Sequence, residues 1–227
     1  MMMHDAKLPY LLQGANQTAI LLFLHGRGEG YRNNGRESHD NLKNQGPPKH
    51  FEAISSETPA HPLATSLLLI APQLPDRDAP WNSVLGEVKN IIEKYREHGA
   101  HLYVMGFSKG GRAVFDFARP LNASAAVTID APPMGRDART AAVHAKSSIG
   151  NVPFWSIYAS YSDNHGIRLF HEHLNVPNHD DISLLPASSR QWRSQVCYPN
   201  LKEVTRHSAI ADEVTKGEAA YRWLLQH

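Results

Sequence analysis

The chain has 227 residues, 41% hydrophobic and 20% charged, the balance of an ordinary soluble globular protein, and a single domain spanning 1–227 is expected. Twenty-three Lys and Arg against 22 Asp and Glu leave a formal charge of +1, which gives no electrostatic footing to a nucleic-acid or anionic-membrane partner. The single cysteine, Cys197, excludes an intramolecular disulfide and fits a reducing compartment; Met1 to Gln13 shows no signal-peptide pattern and no stretch nears the ~20 apolar residues of a membrane span, so a cytoplasmic location is expected.

Five short apolar runs follow one another along the chain: Ile20 to Leu24, Leu67 to Ala71, Leu102 to Phe107, Ala125 to Ile129 and Phe154 to Ala159. They are continuous rather than alternating, as in strands buried on both faces of a parallel sheet. A weaker sixth strand is placed between Arg193 and Val204. Between the runs the pattern turns helical. Val84 to His98 puts Val84, Leu85, Val88, Ile91, Ile92 and Tyr95 on one face, with Ser83 as a cap and Gly99 as a stop. Gly110 to Ala118 reads as a short helix before Pro120, and Glu213 to Gln226 as a C-terminal one. Gly28 to Lys49 and Val176 to Gln191 read as irregular, the first long enough to suggest a functional loop. Strands alternating with helices predict an open, largely parallel α/β sheet with helices on both faces.

One motif stands in the middle of this pattern. Gly106-Phe107-Ser108-Lys109-Gly110 lies between an expected strand and an expected helix. A Gly-x-Ser-x-Gly turn there lifts the serine Oγ above the sheet, requires glycine two residues to either side, and aims the helix N-terminus at the reacting centre. Ser108 is therefore the expected nucleophile. A structural reading remains beside it, a glycine-rich turn with a capping serine.

Acyl transfer needs donors aimed at the developing oxyanion. One is expected from the backbone N–H of Lys109, directly after the serine; the other from the loop after an early strand, where Gly26 brings the N–H of Arg27 close. His25 precedes the serine in the chain and is read as a structural histidine that fixes this loop. In the Ser-acid-His order of such enzymes, Asp163 follows the Phe154 to Ala159 strand and is the expected acid, with Asp130, one strand earlier, as its rival. His207, after the last strand, is the expected base: it takes the Ser108 proton and returns it to the leaving group while the acid holds its tautomer.

With these pieces in order, the chain resembles the α/β-hydrolase group that includes phospholipase/carboxylesterase-type esterases and polyhydroxybutyrate-depolymerase-like peptidases and esterases. The resemblance runs through Leu22 to Glu29, Asn41-Leu42 with Gly46-Pro47-Pro48, Ala71-Pro72-Gln73 with Trp81-Asn82, Gly106 to Gly111, Val152 to Asp163, and His207 with Tyr221 to Leu225. It implies an α/β-hydrolase fold with no large cap domain, ester hydrolysis through an acyl-enzyme, no cofactor, and Arg27 and Lys109 as oxyanion donors. The chain departs from the group at Ala159-Ser160, where His-Gly is common, at Arg206 before His207, and at Lys109.

Other features are weaker. His171-Glu172-His173, with His179-Asp180-Asp181, has the residue types of a metal cluster, but on helical or irregular backbone the rings diverge, so these are read as solvated surface residues and no metal is expected. Arg27, Arg32, Arg36 and Lys43 make the long loop basic: a solvated face, or a binding surface for an acidic substrate group if the loop lines the pocket. Trp81, Trp155 and Tyr161 are core or pocket-wall residues. The expected function is a serine esterase acting on a small-molecule ester. A peptidase or acyltransferase with the same triad, and a non-catalytic binding protein that kept the fold, are the alternatives.

Overall fold

The computed structural model describes residues 1–3, 7–14, 18–51, 66–97, 99–135, 137–158, 165–175, 192–196 and 207–227, of which 165, 168, 175, 192–196, 207–209 and 213 are described by backbone alone. Among the described residues eight strands form one sheet: β1 (Met2–Met3), β2 (Tyr10–Gln13), β3 (Ala19–Leu24), β4 (Leu68–Pro72), β5 (His101–Phe107), β6 (Ala125–Ile129), β7 (Phe154–Tyr158) and β8 (Trp192–Val196). Their spatial order is β1-β2-β4-β3-β5-β6-β7-β8. The first two pairings, β1 with β2 and β2 with β4, are antiparallel; from β4 to β8 every pairing is parallel.

Five strands match the apolar runs to within a few residues, and the sixth expected strand, placed between Arg193 and Val204, is described at Trp192–Val196. The two N-terminal strands were not expected. They are short, and Tyr10 to Gln13 gains its strand character by pairing with Leu69 to Pro72.

Successive residues on each parallel strand bury on opposite faces, as the two-residue strand period requires. Ile20, Leu22, Leu24, Leu102 and Val104 lie on one face, while Leu21, Phe23, Tyr103, Met105 and Phe107 lie on the other. The first face is covered by α2 (Leu85–Tyr95), α3 (Lys109–Phe117), α4 (Ala138–Ile149) and α5 (His165–Asn175). Val88, Ile91 and Ile92 of α2 and Val114 and Phe117 of α3 supply much of that layer. The second face is covered by α6 (His207–Lys216) and α7 (Ala219–Leu224), through Ile210, Val214, Tyr221 and Leu224, with Phe51 beside them, next to α1 (Pro47–His50). Both sheet faces are thus closed, which is why the parallel strands carry no polar alternation.

Several local expectations change. Ser83 does not cap α2: its hydroxyl donates to Pro80 O at 2.7 Å, within a 3₁₀ turn over Trp81–Val84. The helix ends at Tyr95, ahead of Gly99. The C-terminal segment is two helices, not one, broken at Gly217-Glu218. Helix α4 is additional, started by Asp137, whose carboxylate accepts from the N–H groups of Arg139 and Thr140.

The segment 28–49 is ordered by short pieces: 3₁₀ turns at Arg27–Glu29 and His39–Asn44, a hairpin pairing Arg32–Asn33 with Arg36–Glu37, and the start of α1. Gln73, fully buried at the end of β4, holds it. Its Nε2 donates to Glu29 O and Ser38 O, each at 3.0 Å, and its Oε1 lies 2.6 Å from His39 Nδ1.

Candidate active site

The parallel strands end along one edge of the sheet, and in open α/β sheets that edge is where ligands bind. Register fixes which residues meet there. Leu24 pairs with Gly106 and Phe107 with Ile129, so His25, Ser108 and Asp130 each follow directly on a strand end.

Ser108 joins β5 to α3 with φ 53° and ψ −117°, a conformation that side-chain-bearing residues rarely adopt. Two hydrogen bonds hold it: its N–H donates to Ile129 O at 2.9 Å, and its carbonyl accepts the Arg112 N–H at 3.0 Å, beginning α3. Its side chain makes no helix-capping bond, so the structural reading of a capping serine does not apply. The flanking glycines are required by close approach. A Cβ on Gly106 would lie 2.3 Å from Gly110 O, and one on Gly110 would lie 1.9 Å from Leu24 O. The turn therefore presses α3 directly onto the ends of β5 and β3.

Ser108 opens into a pocket of about 320 Å³ lined by Arg27, Arg77, Asp78, Ser108, Lys109, Arg112 and Pro132. The three sequence-predicted residues Arg27, Ser108 and Lys109 thus share one cavity. The Arg27 guanidinium pairs with Asp78, with Nε 2.8 Å from Oδ1. The Lys109 ammonium donates to Arg77 O at 2.9 Å and Ala79 O at 2.6 Å, and burial lowers its pKa. The loop it holds is shaped by Asp76, whose Oδ1 accepts from the N–H groups of Asp78 and Ala79, both at 2.7 Å.

His25 is fully buried beneath this pocket. Nδ1–H donates to Gly26 O at 2.6 Å and Nε2 accepts the Leu74 N–H at 3.0 Å. Trp81 packs edge-on against the ring and donates its indole N–H to the His25 carbonyl at 3.2 Å. Burial, with the nearby Lys109 charge, takes the imidazole pKa down to about 4. Both nitrogens are engaged and the ring is neutral, so His25 is a structural group that pins the loop carrying Arg27.

Asp130 is buried at the end of β6 with φ 47°, and its N–H donates to Ile157 O at 2.7 Å. Its carboxylate acts electrostatically on His171 of α5. His171, expected at the surface, is completely buried: Nδ1 bonds the Ser156 hydroxyl, Nε2 lies 3.2 Å from Ala131 O, and the ring stacks on Tyr158. Burial brings its pKa to about 4 against the pull of Asp130.

Asp163, Tyr161, His179, Asp180, Asp181 and Cys197 lie outside the described residues. His207 is the first residue of α6 rather than part of a preceding loop, and its side chain is outside the described part. Of the basic loop residues, Arg27 reaches the pocket. Arg32 instead pairs with Glu37 at the surface, and Arg36 is exposed. Trp81 and Trp155 are core residues on opposite sheet faces. Sequence reasoning missed Arg77, Asp78 and Arg112 as pocket residues. For Arg112 a signal existed, since it stands one helical turn after Ser108. For Arg77 and Asp78 there was none. Among the described residues no helix is long and apolar enough to cross a membrane.

The strand order, the antiparallel start, the helical layers on both faces and the serine turn between β5 and α3 define an α/β-hydrolase fold. Neither a family model nor a curated protein matches the sequence. Solved structures do. The fluorophosphonate-binding serine hydrolase F of Staphylococcus aureus is 12% identical with a TM-score of 0.56, over 99% of this chain and 96% of its own. The thioesterase domain of the curacin biosynthetic pathway is 12% identical at TM-score 0.54, over 100% and 98%. A metagenome-derived lipolytic enzyme is also 12% identical at 0.54, over 96% and 97%. At such identity the likeness is one of fold.

Proposed function

We propose that the protein is a serine hydrolase that cleaves a carboxylic ester through an acyl-enzyme formed on Ser108. The observation that carries this reading is the backbone of Ser108. A non-glycine residue held at φ 53° where a strand turns into a helix, lining a pocket and making no side-chain capping bond, fits a nucleophile presented to substrate.

In the proposed reaction Ser108 Oγ attacks the ester carbonyl carbon as its proton passes to His207. The carbonyl π electrons move onto oxygen, which the N–H groups of Arg27 and Lys109 stabilise. The intermediate collapses, the C–O bond breaks, and the leaving alcohol departs with the proton from His207. Water then attacks the acyl-enzyme by the same route in reverse, releasing the acid and restoring Ser108. Asp163 orients His207 and supports its charged form. The names of the structural neighbours, a serine hydrolase and lipolytic enzymes among them, agree with this reading.

A fluorophosphonate probe should label Ser108, and Ser108→Ala should abolish labelling and lower turnover of 4-nitrophenyl acetate by at least about a thousandfold. Labelling that persists in the Ser108→Ala protein overturns the assignment.

A further inference from the structure

The pocket at Ser108 gathers cations from three separate stretches of chain. Arg27 comes from the turn after β3, Arg77 from the loop after β4, and Lys109 and Arg112 from the first turn of α3. Among the described residues one carboxylate, Asp78, shares the lining with them, and it is paired with Arg27. Lys109 is bonded to two neutral carbonyls and Arg77 Nη1 to the neutral Asn34 Oδ1. Arg77 Nε is buried and has no hydrogen-bond partner among the described residues. The half-buried Arg112 guanidinium is paired with no carboxylate among the described residues. Asp76 lies near, with its Oδ1 engaged by two backbone N–H groups. Like charges drawn together at a pocket wall repel one another, and fixed guanidinium forks with open donors match the oxygens of an anion.

We propose that the substrate carries an anionic group, a carboxylate or a phosphate, close to the bond that is cleaved, and that Arg112 and Arg77 bind it. The proposal rests on Ser108 being the nucleophile. Arg112 follows Ser108 by one helical turn, so an anion held there lies within a short acyl chain or a small leaving group of the reacting serine.

Matched ester pairs test this. Mono(4-nitrophenyl) glutarate against 4-nitrophenyl pentanoate puts the charge on the acyl side. On the leaving-group side, 4-acetoxybenzoate and 4-acetoxyphenyl phosphate against 4-acetoxybenzamide separate carboxylate from phosphate. At low salt at least one anionic ester should exceed its neutral partner in kcat/KM by about tenfold or more, chiefly through KM, with the ratio shrinking at high salt. Arg112→Gln should bring the ratio close to one and Arg112→Lys should restore part of it. Lys89→Gln, on the exposed face of α2, should retain it.

A ratio at or below one for every pair overturns the proposal, as does Arg112→Gln lowering neutral and anionic turnover in equal proportion. If neutral esters are turned over and Ser108 is labelled while the ratio stays near one, the anion site falls and the hydrolase reading stands. If no ester is turned over, calorimetric titration of glutarate and of glutaramide decides. Binding of glutarate alone, weakened about tenfold by Arg112→Gln, supports the site, and no such binding removes it.

Discussion

Ser108 and Asp130 both sit at positive φ on adjacent strand ends, and each such residue costs on the order of 1–3 kcal/mol that surrounding contacts must offset. Backbone bonds across the sheet end hold both residues, Ser108 N–H to Ile129 O and Asp130 N–H to Ile157 O. The two buried imidazoles, His25 and His171, carry a different kind of cost. Burial lowers both pKa values from 6.5 to about 4, so the unfolded chain takes up protons that the folded chain refuses. Their contribution is intact above the unfolded pKa and is lost as pH falls from about 6.5 toward 4, by roughly 3 kcal/mol for each ring. Urea unfolding at pH 7.5 and pH 5 should therefore show a marked loss of stability at the lower pH. A flat profile would show that both rings become charged in the folded protein. Of these residues the sequence pointed to Ser108 through its flanking glycines and to His25 as a structural histidine through its place ahead of the serine in the chain. It gave no hint that His171 is buried, because Ser156, Tyr158 and Ala131 reach that ring from other strand ends and loops.

The strand–turn–helix element depends on backbone proximity rather than on side-chain bonds. Gly110 places its Cα against the carbonyl of Leu24, and any Cβ there must move α3 or β3. Gly110→Ala is expected to cost more than about 3 kcal/mol and to remove fluorophosphonate labelling. Gly86→Ala, at an open site near the start of α2 with nothing within 4 Å, should raise stability by about 0.5–1 kcal/mol. Chemical denaturation of both variants measures the contrast, and equal effects would refute it. Elements differ in how plainly they are written. The parallel strands are legible because burial on both faces demands apolar residues throughout. Helix α4 has a start at Asp137 and a stop at Gly150, but its buried face is mostly alanine, too small to make the helical period stand out. The N-terminal strands are too short to carry any period and exist through their pairing with β4.

Across the whole molecule, sheet order brings separate parts of the chain to one edge. Ser108 and Asp130 end neighbouring strands, and Tyr158, five residues before Asp163, ends the next. The proposed acid is Asp163, and the buried position of Asp130 makes the rival worth direct comparison. Asp163→Asn should lower kcat by about a thousandfold or more with little change in unfolding free energy. Asp130→Asn should chiefly lower stability, since its carboxylate faces the buried His171. Steady-state kinetics and denaturation of both proteins decide between them, and the opposite pattern assigns the acid to Asp130.

The sequence by itself determined the parallel strands, the serine turn and its helix, because these rest on local rules of apolar run length and on glycine where backbones touch. The expectation that Arg27 and Lys109 stand beside Ser108 came from that turn and from the loop motif at His25-Gly26, and both line its pocket. Only the tertiary structure decided the strand order, the antiparallel start and the electrostatic character of the pocket. Arg77, Asp78 and Arg112 lie far from Arg27 in the chain, and each alone is an ordinary charged residue. Their meeting around Ser108 comes from strands and loops being set side by side, a relation that spacing along the chain does not encode.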